Sequence, residues 1–205
     1  MSRRLLLVLV LLAAAFALLT TLAVRKGVLA PRTEQQTVAI GGPFQLVDQT
    51  GRTVDQGVLK GKWSAVFFGY TFCPDACPTT MFALGQAEKL LGSRATDFQT
   101  VFISVDPARD TPKQLASFLS TDAFPRHAVG LTGTPDQVDR AARAYHVYYQ
   151  KAGAGAAYAV NHSTITYLMN PRGGFACVIP YDATPQQVAA KVEAAMTQGA
   201  DAESC

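Results

Sequence analysis

From Leu5 to Val24 the chain runs twenty residues without a charge (LLLVLVLLAAAFALLTTLAV), and beyond Gly42 the apolar positions come in short bursts separated by polar turns. At a helical rise of about 1.5 Å per residue, the first run is long enough to cross a hydrocarbon layer of about 30 Å. It exceeds the apolar stretch of about 7 to 15 residues found in a cleaved signal. Pro31, directly after Val28-Leu29-Ala30, also spoils the nearest cleavage pattern, so residues 1–29 read as an uncleaved membrane anchor. Residues 30–42 are polar, contain proline and glycine and show no sustained period, which predicts a tether. Residues 43–199 then form a folded domain, and residues 200–205 a flexible tail.

Inside the folded domain the periods are diagnostic. Residues 44–54 (FQLVDQTGRTV) place Thr50-Gly51 between two extended pieces and predict a small hairpin. Trp63 to Tyr70 and Phe98 to Val105 are short β-branched and aromatic runs, as expected of strands buried on both faces. Between them Thr79 to Leu91 carries Met81, Leu84, Leu90 and Leu91 at helical spacing, giving a βαβ unit with a parallel pair. Thr111-Pro112-Lys113-Gln114, Thr134-Pro135-Asp136-Gln137 and Thr184-Pro185-Gln186-Gln187 repeat one helix-start signal. In each, threonine caps, proline fills the first helical position and glutamine stands where it can close a capping box. The three helices present Leu115, Phe118 and Leu119, then Val138, Ala141 and Tyr145, then Val188, Val192 and Met196 on one face each. A short strand at Ala128 to Leu131 separates the first two, and Ser163 to Tyr181 forms a hairpin around Asn170 to Gly174. The order predicts an α/β, thioredoxin-like fold, with a central mostly parallel sheet, an antiparallel edge hairpin and one N-terminal transmembrane helix. In such sheets sites form beyond the carboxyl ends of the parallel strands.

Charge changes the picture only by exclusion. The chain has 18 basic and 15 acidic residues, and residues 1–30 hold four of the basic ones and none of the acidic, leaving 14 against 15 elsewhere. A near-neutral domain without a basic run offers no footprint for nucleic acid. Arg3 and Arg4 before the apolar run are matched by Arg25, Lys26 and Arg32 after it, so loop charge does not orient the span.

Chemistry concentrates in residues 68–81, FGYTFCPDACPTTM, where Cys73 and Cys77 stand three residues apart just past a buried strand. A helix start stabilises thiolate, the form that attacks disulfides and binds metal. Residues four apart on a helix have Cβ atoms about 5–6 Å apart, whereas a disulfide needs about 3.5–4.5 Å. The pair must pinch to oxidise, and a metal bridging two sulfurs fits with less distortion. Pro78 disfavours helical angles at Cys77. Three histidines are candidates for a further ligand. His127 and His146 read as a surface residue and a helix-end residue, while His162 precedes a strand and follows the small-residue loop Gly153 to Ala157, which can fold over a site. Asp106, Arg109 and Asp110 can shape the loop beside the site, although the two aspartates read first as turn residues bonding backbone N–H groups before the Thr111 cap, and Asp75 reads as a carboxylate acting on the thiols or on a more oxidised metal. Cys177 reads as a small buried apolar residue and Cys205 as a terminal thiol, with a bridge between them left open.

GYTFCPDACPTTM, SVDPARDTP from Ser104 to Pro112 and NHSTITYLMNPRG from Asn161 to Gly173 together resemble the three signature blocks of the SCO/SenC family of membrane-anchored copper proteins, in order and spacing over about residues 40–197. The resemblance implies a thioredoxin fold, Cu(I) held by Cys73, Cys77 and His162, and delivery of copper or reducing equivalents to the binuclear copper centre of cytochrome c oxidase subunit II. An upstream copper-donor protein is the second implied partner. The alternative the family permits is a thiol-disulfide reductase, with Cys73 attacking and Cys77 resolving. Phe72 stands where many members have histidine, and Asn161 where aspartate is more usual. Soft sulfur with imidazole suits Cu(I), and three ligands without an evident fourth disfavour a closed structural zinc site. Copper handling and an oxidisable pair both imply a soluble domain outside the cytoplasm, and the lack of an Arg- and Ser-rich transit pattern before the span favours a bacterial inner membrane over a mitochondrion.

Overall fold

The computed structural model describes residues 2–25 and 39–199, and contacts divide it into two compact units, one carrying the N-terminal helix and the other starting at Ala39. Most of the predicted tether, the tail 200–205 and Cys205 lie outside the described residues. In the first unit α1 (Arg3–Arg25) is 23 residues long, and Arg3–Leu22 is long and apolar enough to cross a membrane.

The second unit is built on a seven-stranded sheet in the order β2-β1-β5-β4-β3-β8-β9. Its strands are β1 (Gln45–Asp48), β2 (Thr53–Asp55), β3 (Trp63–Gly69), β4 (Phe98–Ser104), β5 (Val129–Thr132), β8 (Thr166–Met169) and β9 (Phe175–Ile179). β3 and β4 are buried at every position, as their unbroken apolar runs predict, and pair in parallel from Trp63–Phe98 to Gly69–Ser104. β4 pairs in parallel with β5, and the β8–β9 hairpin adds antiparallel to β3. The β1–β2 hairpin also joins the sheet, antiparallel to β5, so the parallel trio carries an antiparallel pair on both sides. This is the thioredoxin-like arrangement with a second flanking hairpin. A further pair, β6 (Tyr149–Ala152) and β7 (Ala159–His162), forms its own two-stranded sheet. Nothing in the apolar pattern announces it, because its side chains, Val160 apart, are partly or fully exposed.

The helices are α2 (Ala76–Leu90), α3 (Pro112–Leu119), α4 (Pro135–Ala144) and α5 (Pro185–Gln198). Thr111, Thr134 and Thr184 all cap, accepting from the backbone N–H groups of Gln114, Gln137 and Gln187. The capping box closes at Thr134 and Thr184. At α3 it does not, because the Gln114 amide reaches away to donate to the Thr71 hydroxyl, 3.1 Å off. Leu90 is exposed, contrary to its predicted place on the inner face of α2, whereas Met81, Leu84 and Leu91 are buried.

Neighbouring side chains of β3 point to opposite faces. Phe67 meets Phe102, which stacks on Phe118 of α3, and Phe68 meets Tyr145 and Tyr167 on the other side. The chain docks from Ala39 onward: the Gly41 N–H donates to the Ala144 carbonyl, and a Cβ on Gly41 would lie 2.9 Å from Met169 Cε. His146, beyond the end of α4, adopts φ +55° and its ring meets the Ala39 carbonyl.

Candidate metal centre

β3 ends at Gly69, and the six residues from Tyr70 to Asp75 carry the chain from the sheet into α2. Helix α2 begins at Ala76, three residues earlier than the pattern predicts, so Cys77 is already helical. Pro78 is tolerated because it lies in the first turn, where its missing N–H has no partner to lose, and the Thr79 N–H makes the first helical bond, to the Asp75 carbonyl. Cys73 therefore lies half-buried in the loop, and Cys77 is fully buried beneath it.

Gly69 makes that burial feasible. A Cβ at this position would stand 2.7 Å from Cys77 Sγ and 2.9 Å from Phe67 Cε1, closer than side-chain carbons approach. Glycine is needed for the sulfur to sit against the backbone of the strand.

The third group arrives from β7. His162 is its last residue, and its Nε2 lies 3.6 Å from Cys77 Sγ. The ligating atoms of Cys73, Cys77 and His162 all lie within 4.8 Å of one another, the sole such group of potential metal ligands among the described residues. His162 Nδ1 lies 2.9 Å from the Ser163 carbonyl, an oxygen that can only accept. The ring therefore carries its proton on Nδ1 when neutral, which leaves the Nε2 lone pair facing the sulfurs. Tyr70 and Phe67 rings meet the imidazole edge-on, at 5.8 and 6.0 Å between centroids, and hold its plane. Two thiolates and one imidazole are soft and borderline donors of the kind that suit Cu(I).

His127 is exposed in its loop and His146 is bonded to the Ala39 carbonyl, so neither joins the group. The Asp75 carboxylate accepts from the Thr79 hydroxyl, at 3.3 Å, and it is the Asp75 backbone N–H that acts on the Cys73 sulfur. Cys177 is half-buried against the core and disulfide-bonded, so of its readings the free core thiol is the one that fails.

The two thiols are electrostatically unequal. Cys73 is lowered to about 4, first by the hydrogen bond from the Cys77 thiol, with help from the backbone N–H groups of Cys77 and Asp75 and from His162, and against its own burial. Cys77 is pushed up, first by its bond to Cys73 and then by desolvation. The pair shares one proton, kept by Cys77. With Cys73 ionised above about 4, its alkylation by iodoacetamide runs at a constant rate from about pH 6 to about pH 8, where an ordinary thiol of pKa about 8.5 speeds up with each unit. A mass-spectrometric alkylation profile reads this directly, and a rate that climbs tenfold per unit toward pH 8 contradicts it.

Two residues tie the surroundings of the centre together, one of them in favour of the site-shaping reading over the turn reading. Asp110 is fully buried, yet it does not serve a local turn. Its carboxylate accepts from the Thr71 N–H, the Thr71 hydroxyl and the Ser104 hydroxyl, at 3.0, 2.7 and 2.6 Å, and so ties the cysteine loop to β4. Burial raises its pKa. Tyr70 is buried too, and its ring, edge-on to His162, joins the cysteine loop to β7; burial raises its pKa, against the Val160 backbone N–H and with the Cys73 sulfur. A buried acid beside a cysteine motif is a visible signal, but its partners were not.

Comparison with known proteins supplies a relationship. The SCO1/SenC family model matches residues 32–197. The chain is 46% identical over 171 residues to the protein SenC of Rhodobacter capsulatus, a match spanning 83% of this chain and 74% of the relative. It is 42% identical over 139 residues to the mitochondrial SCO1 homolog 1 of Arabidopsis thaliana, spanning 67% of this chain and 41% of that longer protein. The copper-bound structure of ScoI from Bradyrhizobium japonicum superposes with a TM-score of 0.70 at 40% identity, covering 76% of this chain and 99% of the other.

Proposed function

The chain belongs to the SCO1/SenC family, and on that premise we propose that it is a membrane-anchored copper carrier in the assembly of cytochrome c oxidase. It binds Cu(I) through Cys73, Cys77 and His162, receives it from an upstream copper-donor protein and passes it to the binuclear copper site of subunit II. Helix α1 anchors the domain on the outer side of a bacterial inner membrane, where a thiol pair outside the cytoplasm has a use.

The observation that carries the reading is the convergence of two sulfurs and an imidazole within 4.8 Å, from segments 85 residues apart along the chain. The ring tautomer supports it, since Nε2 is free to coordinate. Cys73 is ready as thiolate, and Cys77 gives up its proton on ligation, so loading releases about one proton per metal. Half-buried Cys73 and His162 leave an approach for an incoming sulfur, and buried Cys77 holds the cargo from behind. The reduced full chain in detergent, titrated anaerobically against a Cu(I) chelator, takes up one Cu(I), and the same chain alkylated at Cys73 takes up none. Equal uptake by both proteins rejects the site.

The asymmetry of the two thiols favours a second activity, reduction of disulfides. The Cys73 thiolate attacks a partner disulfide and expels one partner thiolate. Cys77, on losing its proton, then attacks the Cys73 sulfur, releasing the second partner thiolate and leaving a Cys73–Cys77 disulfide. Only the carrier role requires His162.

A further inference from the structure

His162 has an unusual support. Its strand belongs to the β6–β7 pair, which makes no ladder with the seven-stranded sheet. The imidazole is therefore carried on a hairpin that side chains must hold against the domain. At the turn end of that hairpin, beside the loop of residues 153–158 and away from His162, lies Arg109 from the segment between β4 and α3.

The guanidinium of Arg109 is enclosed, with only 16% of the side chain exposed. Its carbon sits 3.6 Å from the Tyr158 ring centroid, 4.9 Å from that of Phe72 and 5.7 Å from that of Tyr70. Nη1 donates to the carbonyls of Tyr158, at 3.0 Å, and Ala156, at 3.4 Å. Nε donates to Asp106, whose other carboxylate oxygen accepts the Tyr158 hydroxyl at 2.6 Å. Nη2 is buried with no oxygen partner. A donor so placed is accounted for by the ring faces around it. Lys151 covers the far face of Tyr158, 3.7 Å from its centroid. Arg109 thus grips, at once, the residue preceding Cys73 and the residue preceding β7, whose other end is His162. A planar fork can stack and bond two carbonyls together, which an ammonium group cannot do.

We propose that Arg109 is a positioning residue, which clamps the turn end of the β6–β7 hairpin and thereby pre-organises His162, at its other end, against the cysteine pair. The inference rests on His162 acting as a ligand. Free of the clamp, the hairpin keeps the contact between Tyr70 and Val160, so the centre loosens but is not abolished. Support groups of this kind are worth about 10- to 100-fold in metal affinity.

The test uses the reduced full chain in detergent, as wild type, Arg109→Ala, His162→Ala and the double variant, with Tyr158→Leu replacing Arg109→Ala should the latter lose its melting transition. In metal-free protein, amide hydrogen exchange at residues 159–162 rises about tenfold or more in Arg109→Ala and stays unchanged in β3 and β4. In a Cu(I) competition titration Arg109→Ala costs about tenfold in affinity, and adding Arg109→Ala to His162→Ala costs nothing further. Unchanged exchange at 159–162, or the same loss with and without His162, overturns the clamp. A wild-type chain that takes up no Cu(I) contradicts the carrier reading instead, and the exchange measurement still decides the clamp.

Discussion

Replacing His162 by alanine lowers the affinity for Cu(I) by more than about 100-fold, while Cys73 continues to attack a model disulfide at close to the wild-type rate. The size follows from what is removed. Groups that only orient a ligand are worth about 10- to 100-fold, and His162 is the ligand itself, with its Nε2 turned to the sulfurs by the Nδ1 bond to Ser163. Thiol attack is spared because the bond from Cys77 is the leading cause of the ionisation of Cys73, and His162 contributes least among the causes. His162→Gln separates lost ligation from lost packing, since it keeps bulk between Tyr70 and Phe67 and offers no imidazole. Both variants bind copper weakly and both exchange disulfides. A His162→Ala chain that retains wild-type Cu(I) affinity leaves dithiol chemistry as the protein's main work.

The second large effect lies one step behind the sulfurs. Gly69→Ala places a carbon 2.7 Å from Cys77 Sγ, 2.9 Å from Phe67 Cε1 and 3.1 Å from Phe102 Cε2, and all three side chains are fully buried. None can swing into solvent. Forcing a methyl group into such packing costs about 1–3 kcal/mol, and the atom nearest to it is the one that must hold a metal and meet His162. We therefore expect a lower urea midpoint together with a loss of Cu(I) affinity. Gly51→Ala is the matched control, because Gly51 has φ +86° but nothing within 4 Å of a new Cβ. It costs about 1 kcal/mol through its backbone conformation and leaves copper binding unchanged. A Gly69→Ala protein that binds copper normally shows that Cys77 need not sit against the strand.

How much of this was legible beforehand depended on how local each signal was. β3, β4 and the three threonine caps were readable because an unbroken apolar run, or a Thr-Pro-x-Gln start, carries its physics within a few residues. The β6–β7 pair was not, since Tyr149 to Ala152 are partly or fully exposed and set no period to find. Asp110 looked like a turn residue because its neighbours in sequence are turn residues, while two of its hydrogen bonds go to Thr71, 39 positions away. Gln114 matched the capping-box pattern and was drawn off to Thr71, a tertiary contact overriding a local one. The cysteine pair and His162 could be nominated from residue chemistry and family likeness, whereas the clamp on the hairpin needed Tyr70, Phe72, Arg109 and Tyr158 to be seen in one place.

The most direct test of the central claim is X-ray absorption at the copper K-edge on the Cu(I)-loaded full chain and on its His162→Ala variant. Three-coordinate Cu(I) with two sulfur neighbours and one imidazole nitrogen, the nitrogen contribution vanishing in the variant, is the predicted result. A spectrum with sulfur neighbours alone, identical in the two proteins, contradicts it.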